Sequence, residues 1–171
     1  REIDDYEKSV YEGENRLEDK SKTFSSLWYR FMQVDIRFYK TLNSGLYNGM
    51  LVPIMPFNIR GVIWYQGEAN THPERAVEYE KLFPALIECW RKGFQDKDLP
   101  FLFVQLPAYG GHPDRDWPRL RAAQQHTAQT LDNTGMAVTI DLGMKDEIHP
   151  PMKEPVGYRL ALIARNQLYD E

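Results

Sequence analysis

Cysteine is almost missing from this chain: Cys89 is the only one in 171 residues. One thiol excludes an internal disulfide framework and a cysteine-rich metal site, but leaves the compartment open. Serine is scarce as well. Ser9, Ser21, Ser25, Ser26 and Ser44 are the whole set, all within the first 44 residues. None stands in a glycine-flanked elbow after a strand, the setting of a hydrolase nucleophile. Ser44, in Asn-Ser-Gly, reads as turn chemistry. No apolar run approaches the roughly 20 residues of a membrane span. The net charge of −4 gives no basic footprint, which argues against nucleic acid and anionic membrane as partners. There is no compact metal-ligand spacing such as H-E-x-x-H, no repeat and no low-complexity tract. The chain opens on Arg1 without a signal-peptide pattern, so the expectation is a segment of a longer or processed product.

What is present describes a globular α/β chain. Hydrophobic residues make up 42% and aromatics 13%, enough for a packed core. Residues 1–23 are rich in charge and read as a solvated helix or loop. Residues 24–42 place Phe24, Leu27, Phe31, Val34 and Phe38 at helical spacing, flanked by Trp28, Met32, Ile36 and Tyr39. Together residues 1–43 read as a charged and aromatic helical insertion, closed by Asn43-Ser44-Gly45. Leu46 to Pro56 is apolar and punctuated by prolines, so it is expected to be extended or loop-like.

Strand patterns follow at 60–65, 101–106 and 136–140. Helical patterns alternate with them at 73–94, 117–131 and 154–169. In the first helix Val77, Leu82, Leu86, Ile87 and Trp90 are expected to share the apolar face, and Pro84 to kink it or begin its second half. Cys89, between Ile87 and Trp90, is expected to be buried and inert. Asp116 is the expected N-cap of the second helix, with Pro118 in its first turn. Alternating strands and helices predict a parallel sheet between helical layers. Three strands are fewer than such a sheet usually carries, so it is expected to be incomplete on its N-terminal side.

Two loops hold the candidate chemistry. Asp146-Glu147-Ile148-His149-Pro150 follows the last strand, at the edge where α/β folds place ligand sites. A tight turn there lets the Asp146 carboxylate reach Nδ1 of His149, fixing the tautomer and leaving Nε2 as a general base. Glu147 is the rival orienter. Gln66-Gly67-Glu68 follows the first strand; Gly67 permits a positive-φ turn, and the Gln66 amide can donate to an oxyanion. Glu68 is either an anchor of that loop or an acid/base group. His72 and His112 are read as exposed loop histidines, and His126 as a structural or exposed helical one.

With those residues in view, the chain resembles the sialate O-acetylesterase-like carbohydrate esterases of the SGNH hydrolase superfamily, which include acetylxylan esterase-related enzymes. The similarity runs through Leu46 to Met50, Gly61 to Asn70 with its Tyr65-Gln66-Gly67-Glu68, and Leu82 to Ile87 with Trp90-Arg91. It continues through Phe101 to Gln105, Asn133 to Asp141, Ile148-His149-Pro150, Pro155 to Gly157 and Arg159 to Leu162. The resemblance implies a three-layer α/β/α, flavodoxin-like fold, with residues 44–171 as the C-terminal part of the esterase domain. It implies a serine esterase that removes acetyl groups from sugars without a cofactor or metal. His149 resembles the base, Asp146 or Glu147 its orienter, and Gln66 the oxyanion donor supported by Glu68. The family's serine lies in a G-Q-S-N motif near the first strand, and nothing here matches it. An N-terminal segment or subunit is therefore the expected partner, besides an acetylated carbohydrate. Family resemblance also implies a secreted, periplasmic or lysosomal location. Two rival readings stay open: a glycoside hydrolase using Glu68 with Asp146 or Glu147, and a non-catalytic sugar-binding remnant using Trp64, Trp117 and the aromatic helix.

Overall fold

The computed structural model describes residues 44–169; the predicted aromatic helix at 24–42 and the charged stretch before it lie outside the described residues. The chain divides into two compact units, residues 1–56 and 57–171.

In the first unit, the stretch expected to be extended is helical instead. Ser44 turns the chain at φ 61°, Tyr47–Leu51 forms a wide π-type turn, and Val52–Ile54 forms a 3₁₀ turn. Backbone bonds from Asn48 N to Ser44 O (2.9 Å) and Met55 N to Leu51 O (3.2 Å) close these turns. Pro53 fits because the first turn of a helix has no partner for its missing N–H.

The second unit carries a parallel three-stranded sheet, β1 (Val62–Trp64), β2 (Phe101–Val104) and β3 (Thr134–Ala137), in that spatial order. Val62 pairs with Phe101, and Phe101 with Thr134. The last strand begins two residues earlier than its sequence pattern and ends sooner. Thr134 Oγ1 donates to Leu131 O (2.7 Å) at its start. Beyond its end, Thr139 donates to Gln105 O (2.5 Å), and Ile140–Leu142 coils into a 3₁₀ turn. That side-chain bond diverts Val138 and Thr139 from the ladder.

Helices α1 (Pro73–Gly93), α2 (Trp117–Thr130) and α3 (Glu154–Leu168) complete the unit. Asp116 caps α2 as expected, its carboxylate accepting from Arg119 N at 3.1 Å, with Pro118 in the first turn. α1 runs through Pro84 without a break, giving up one backbone hydrogen bond. Its buried face is rotated from the expected one and consists of Ala76, Tyr79, Phe83, Ile87 and Arg91. Val77 and Leu82 are 46% and 54% exposed, so they are not part of the core. Cys89 is exposed rather than buried, because two residues past Ile87 a helix has turned by about 200°.

Alternation along β2 creates the three layers. Phe101 and Phe103 point to α1 and α2, in a cluster with Phe83, Ile87, Leu120 and Ala123. Leu102 and Val104 point the other way, to Val156 and Leu160 of α3. The expected α/β/α sandwich with a parallel sheet is therefore what the chain forms. Gly135 makes the α3 side possible, since a Cβ there would overlap Ile163. At the amino ends of the strands, the buried Arg91 donates to Leu99 O (3.0 Å), Asp132 O (2.7 Å) and Asn133 O (3.1 Å). Among the described residues β1 ends the sheet on one side, and Ile63 on its α3-facing side is 69% exposed.

Candidate active site

The carboxyl ends of β1 and β3 release the two loops that carry the candidate residues. After β1 the backbone turns at Gly67 with φ 153°, a conformation that side chains with a Cβ avoid. Glu68–Asn70 then forms a single 3₁₀ turn, closed by Thr71 Oγ1 on Glu68 O at 2.7 Å. This turn leaves Gln66 half-buried with both ends of its amide held. Gln66 Nε2 donates to Asn70 Oδ1 (2.7 Å), and Gln66 Oε1 accepts from the Tyr79 hydroxyl (3.2 Å). Its backbone carbonyl accepts from Gln124 Nε2 at 3.2 Å. Gln124 is completely buried, and its other bonds run to Val104 O (3.2 Å) and from Leu106 N (2.9 Å). One side chain of α2 thereby ties together the ends of β1 and β2.

Electrostatics around this turn favour neutral phenols. Burial pushes the Tyr79 hydroxyl up to about 12, and the nearby Glu68 carboxylate adds to the effect. Tyr65 is raised by burial and by Glu68 as well. Glu68 is thus a negative charge beside two tyrosines, and its backbone carbonyl anchors the loop through Thr71.

The loop after β3 is fixed at several points. Asp141 forms a two-pronged pair with Arg159 of α3 at 2.6 Å for each bond, and Arg159 also donates to Val138 O. The guanidinium holds the Asp141 carboxyl at about 2, well below its usual range. Gly143 lies against the Ala108 backbone so closely that a Cβ would overlap it. Gly110 N donates to Lys145 O at 3.0 Å, joining the loops after β2 and β3. Ile148 packs on the α1–α2 cluster and Pro150 is buried, so the exposed His149 between them is carried on two anchored neighbours.

Around His149, Glu147 Oε1 accepts from the His149 backbone N–H at 2.8 Å. Among the described residues neither Asp146 nor Glu147 bonds the imidazole itself, and both carboxylates are exposed. The His149 and Gln66 loops meet through their flanks. Lys153 Nζ lies 4.6 Å from the centre of the Tyr65 ring and 3.4 Å from its hydroxyl. His112 and His126 are exposed, and His72 is half-buried at the start of α1. No group of three His, Cys, Asp or Glu among the described residues is arranged to hold a metal ion.

Tyr79, Gln124, Asn70 and Lys153 were not singled out by the sequence reading. Gln124 and Tyr79 lie 58 and 13 residues from Gln66, so only the folded chain brings them to it.

The family of carbohydrate esterases described as sialic acid-specific acetylesterase matches residues 32–162. The chain belongs to that family. Both Gln66 and His149 lie inside the matched span. Sialate O-acetylesterase of Mus musculus is 38% identical over 149 residues, which is 77% of this chain and 27% of the mouse protein. Its Rattus norvegicus counterpart is 35% identical over 170 residues, 89% of this chain and 31% of the rat protein. The chain therefore spans less than a third of the length of these curated family members. A carbohydrate acetylesterase from Xanthomonas citri superposes with a TM-score of 0.70 at 47% identity, covering 74% of this chain and 30% of that one. An Arabidopsis thaliana protein with 23% identity and a TM-score of 0.54 shares the fold; the match covers 74% of this chain and 51% of that one. Among the described residues no helix is long and apolar enough to cross a membrane.

Proposed function

We propose that this chain is part of a carbohydrate O-acetylesterase, which removes acetyl groups from sialic acid-type sugars with a serine supplied from outside these 171 residues. The observation that carries this reading is the pairing of the Gln66 turn and the His149 loop. They leave parallel strands at the same end, inside the span matched by the esterase family. The sugar class rests on the names of the mouse and rat relatives.

In the proposed reaction, His149 Nε2 takes the proton from the serine hydroxyl as its oxygen attacks the acetyl carbonyl. Gln66 donates an N–H to the oxyanion that forms. The tetrahedral adduct collapses, the C–O bond to the sugar breaks, and His149 returns the proton to the leaving oxygen. Water then attacks the acetyl-serine with the same base and releases acetate. Asp146 or Glu147 turns onto the imidazolium, which neither bonds in the resting geometry, and Glu147 is kept close by its bond to the His149 backbone. The serine is placed elsewhere because none of the five in this sequence stands in the G-Q-S-N motif that the resemblance implies, and Ser44 occupies a positive-φ turn. A secreted, periplasmic or lysosomal compartment accords with the sugar substrate.

The test is acetate release from an O-acetylated sialic acid by the full-length protein. We expect His149→Ala to lower kcat by about 100- to 10,000-fold with the fold intact. A variant that keeps wild-type kcat would remove His149 from the mechanism.

A further inference from the structure

We propose that Tyr79 and Asn70 are positioning residues that set which end of the Gln66 carboxamide meets the reacting carbonyl, on a backbone held by Gln124. The inference rests on the oxyanion reading of Gln66 given above.

A carboxamide presents two donors on one end and two lone pairs on the other, and it helps an oxyanion only with the donor end. Free to rotate, Gln66 would offer its oxygen half of the time and repel the developing charge. Two partners remove that freedom. The Tyr79 hydroxyl lies 3.2 Å from Gln66 Oε1 and 3.5 Å from Gln66 O, and both of those atoms accept. Asn70 Oδ1 takes one hydrogen of Nε2 at 2.7 Å. A flipped Gln66 would set Oε1 against Asn70 Oδ1 unless the Asn70 amide turned with it. The second hydrogen on Nε2 has no partner among the described residues, so it is the one available to a substrate oxygen.

Tyr79 and Gln124 are themselves fixed. Tyr79 is only 4% exposed, and its ring stacks on Phe83 with centroids 5.2 Å apart. A phenol held near 12 keeps its proton across the working range, so it stays a donor. Gln124 acts on the backbone: by bonding Gln66 O, Val104 O and Leu106 N it sets the height of the Gln66 turn above the sheet. None of the three touches the acetyl group in this account; they act through Gln66.

The test is a set of variants of the full-length protein, read as kcat and KM for acetate release together with thermal midpoints. Tyr79→Phe keeps the ring and loses the hydroxyl; we expect kcat to fall roughly tenfold with KM unchanged. In a Gln66→Ala background the same substitution should have no further effect. Asn70, half-buried in the turn, provides an arm that does not depend on Tyr79 variants folding. Asn70→Ala should lower kcat, and Asn70→Asp, which keeps the acceptor, should restore it. Positioning is overturned if Gln66→Ala lowers kcat while Tyr79→Phe and Asn70→Ala leave it intact, and the oxyanion reading then survives. It is also overturned if Tyr79→Phe is equally harmful in both backgrounds. If Gln66→Ala keeps full kcat, the oxyanion role falls and the positioning role with it.

Discussion

Gly67 shows how much of the site depends on one backbone angle. At φ 153° a Cβ would be strained, and it would stand 2.6 Å from Leu120 Cδ2 and 3.1 Å from Leu106 Cδ1. Gly67→Ala should therefore cost about 2–4 kcal/mol, from backbone strain together with overpacking. A urea titration measures this, and a change below about 0.5 kcal/mol, the range of ordinary surface substitutions, would contradict it. The glycine was legible in the sequence, because a Gly between two polar residues directly after a β-branched run signals a tight turn. The partners of Gln66 were not. Gln124 looks like one of several glutamines on a helix until the fold buries it under the ends of two strands. Arg91 was hidden likewise: a charged residue late in a helix reads as solvated, yet here it is 8% exposed and bonded to three carbonyls.

At the scale of elements, the loop after β3 depends on its tie to α3. Asp141 is the anchor, and Arg159 holds its carboxyl at about 2 against an ordinary value of 3.8. A depressed carboxyl contributes stability that is present above the unfolded value and lost as pH falls through the folded one. The window is therefore from about pH 4 down to about pH 2. Asp141→Asn should flatten the fall in thermal midpoint across that window; an unchanged acid profile would show that the pair does not contribute. Helix positions were readable from periodicity and from Asp116 and Pro118. The face of α1 was not, because Val77 and Leu82 fit an apolar stripe as well as Tyr79 and Phe83 do. The aromatic cluster around Phe101 and Phe103 decided between them, with Phe83 and Phe103 at 4.9 Å in an edge-to-face contact. The 46–56 segment was misread for a related reason: its prolines suggested extension, yet Pro53 fits a first helical turn.

Taken together, the described residues supply three parallel strands and three α-helices, a scaffold that carries His149 and Gln66, the proposed base and amide donor, on one edge. Among the described residues the sheet ends at β1, where Ile63 is exposed, and the relatives are more than three times as long as this chain. The three-layer arrangement was legible because strands and helices alternate. The orientation of His149 was not, since Asp146 and Glu147 are both within reach in sequence and neither bonds the imidazole here. In the proposed reaction the labour is divided, with His149 and Gln66 in this chain and the serine outside it. The most direct measurement is acetate release from an aryl acetate by the 171-residue chain alone and by the full-length protein. Activity in the full-length protein only, abolished by His149→Ala, is the predicted result. Full activity in the 171-residue chain alone would contradict the account and place the nucleophile among its own residues.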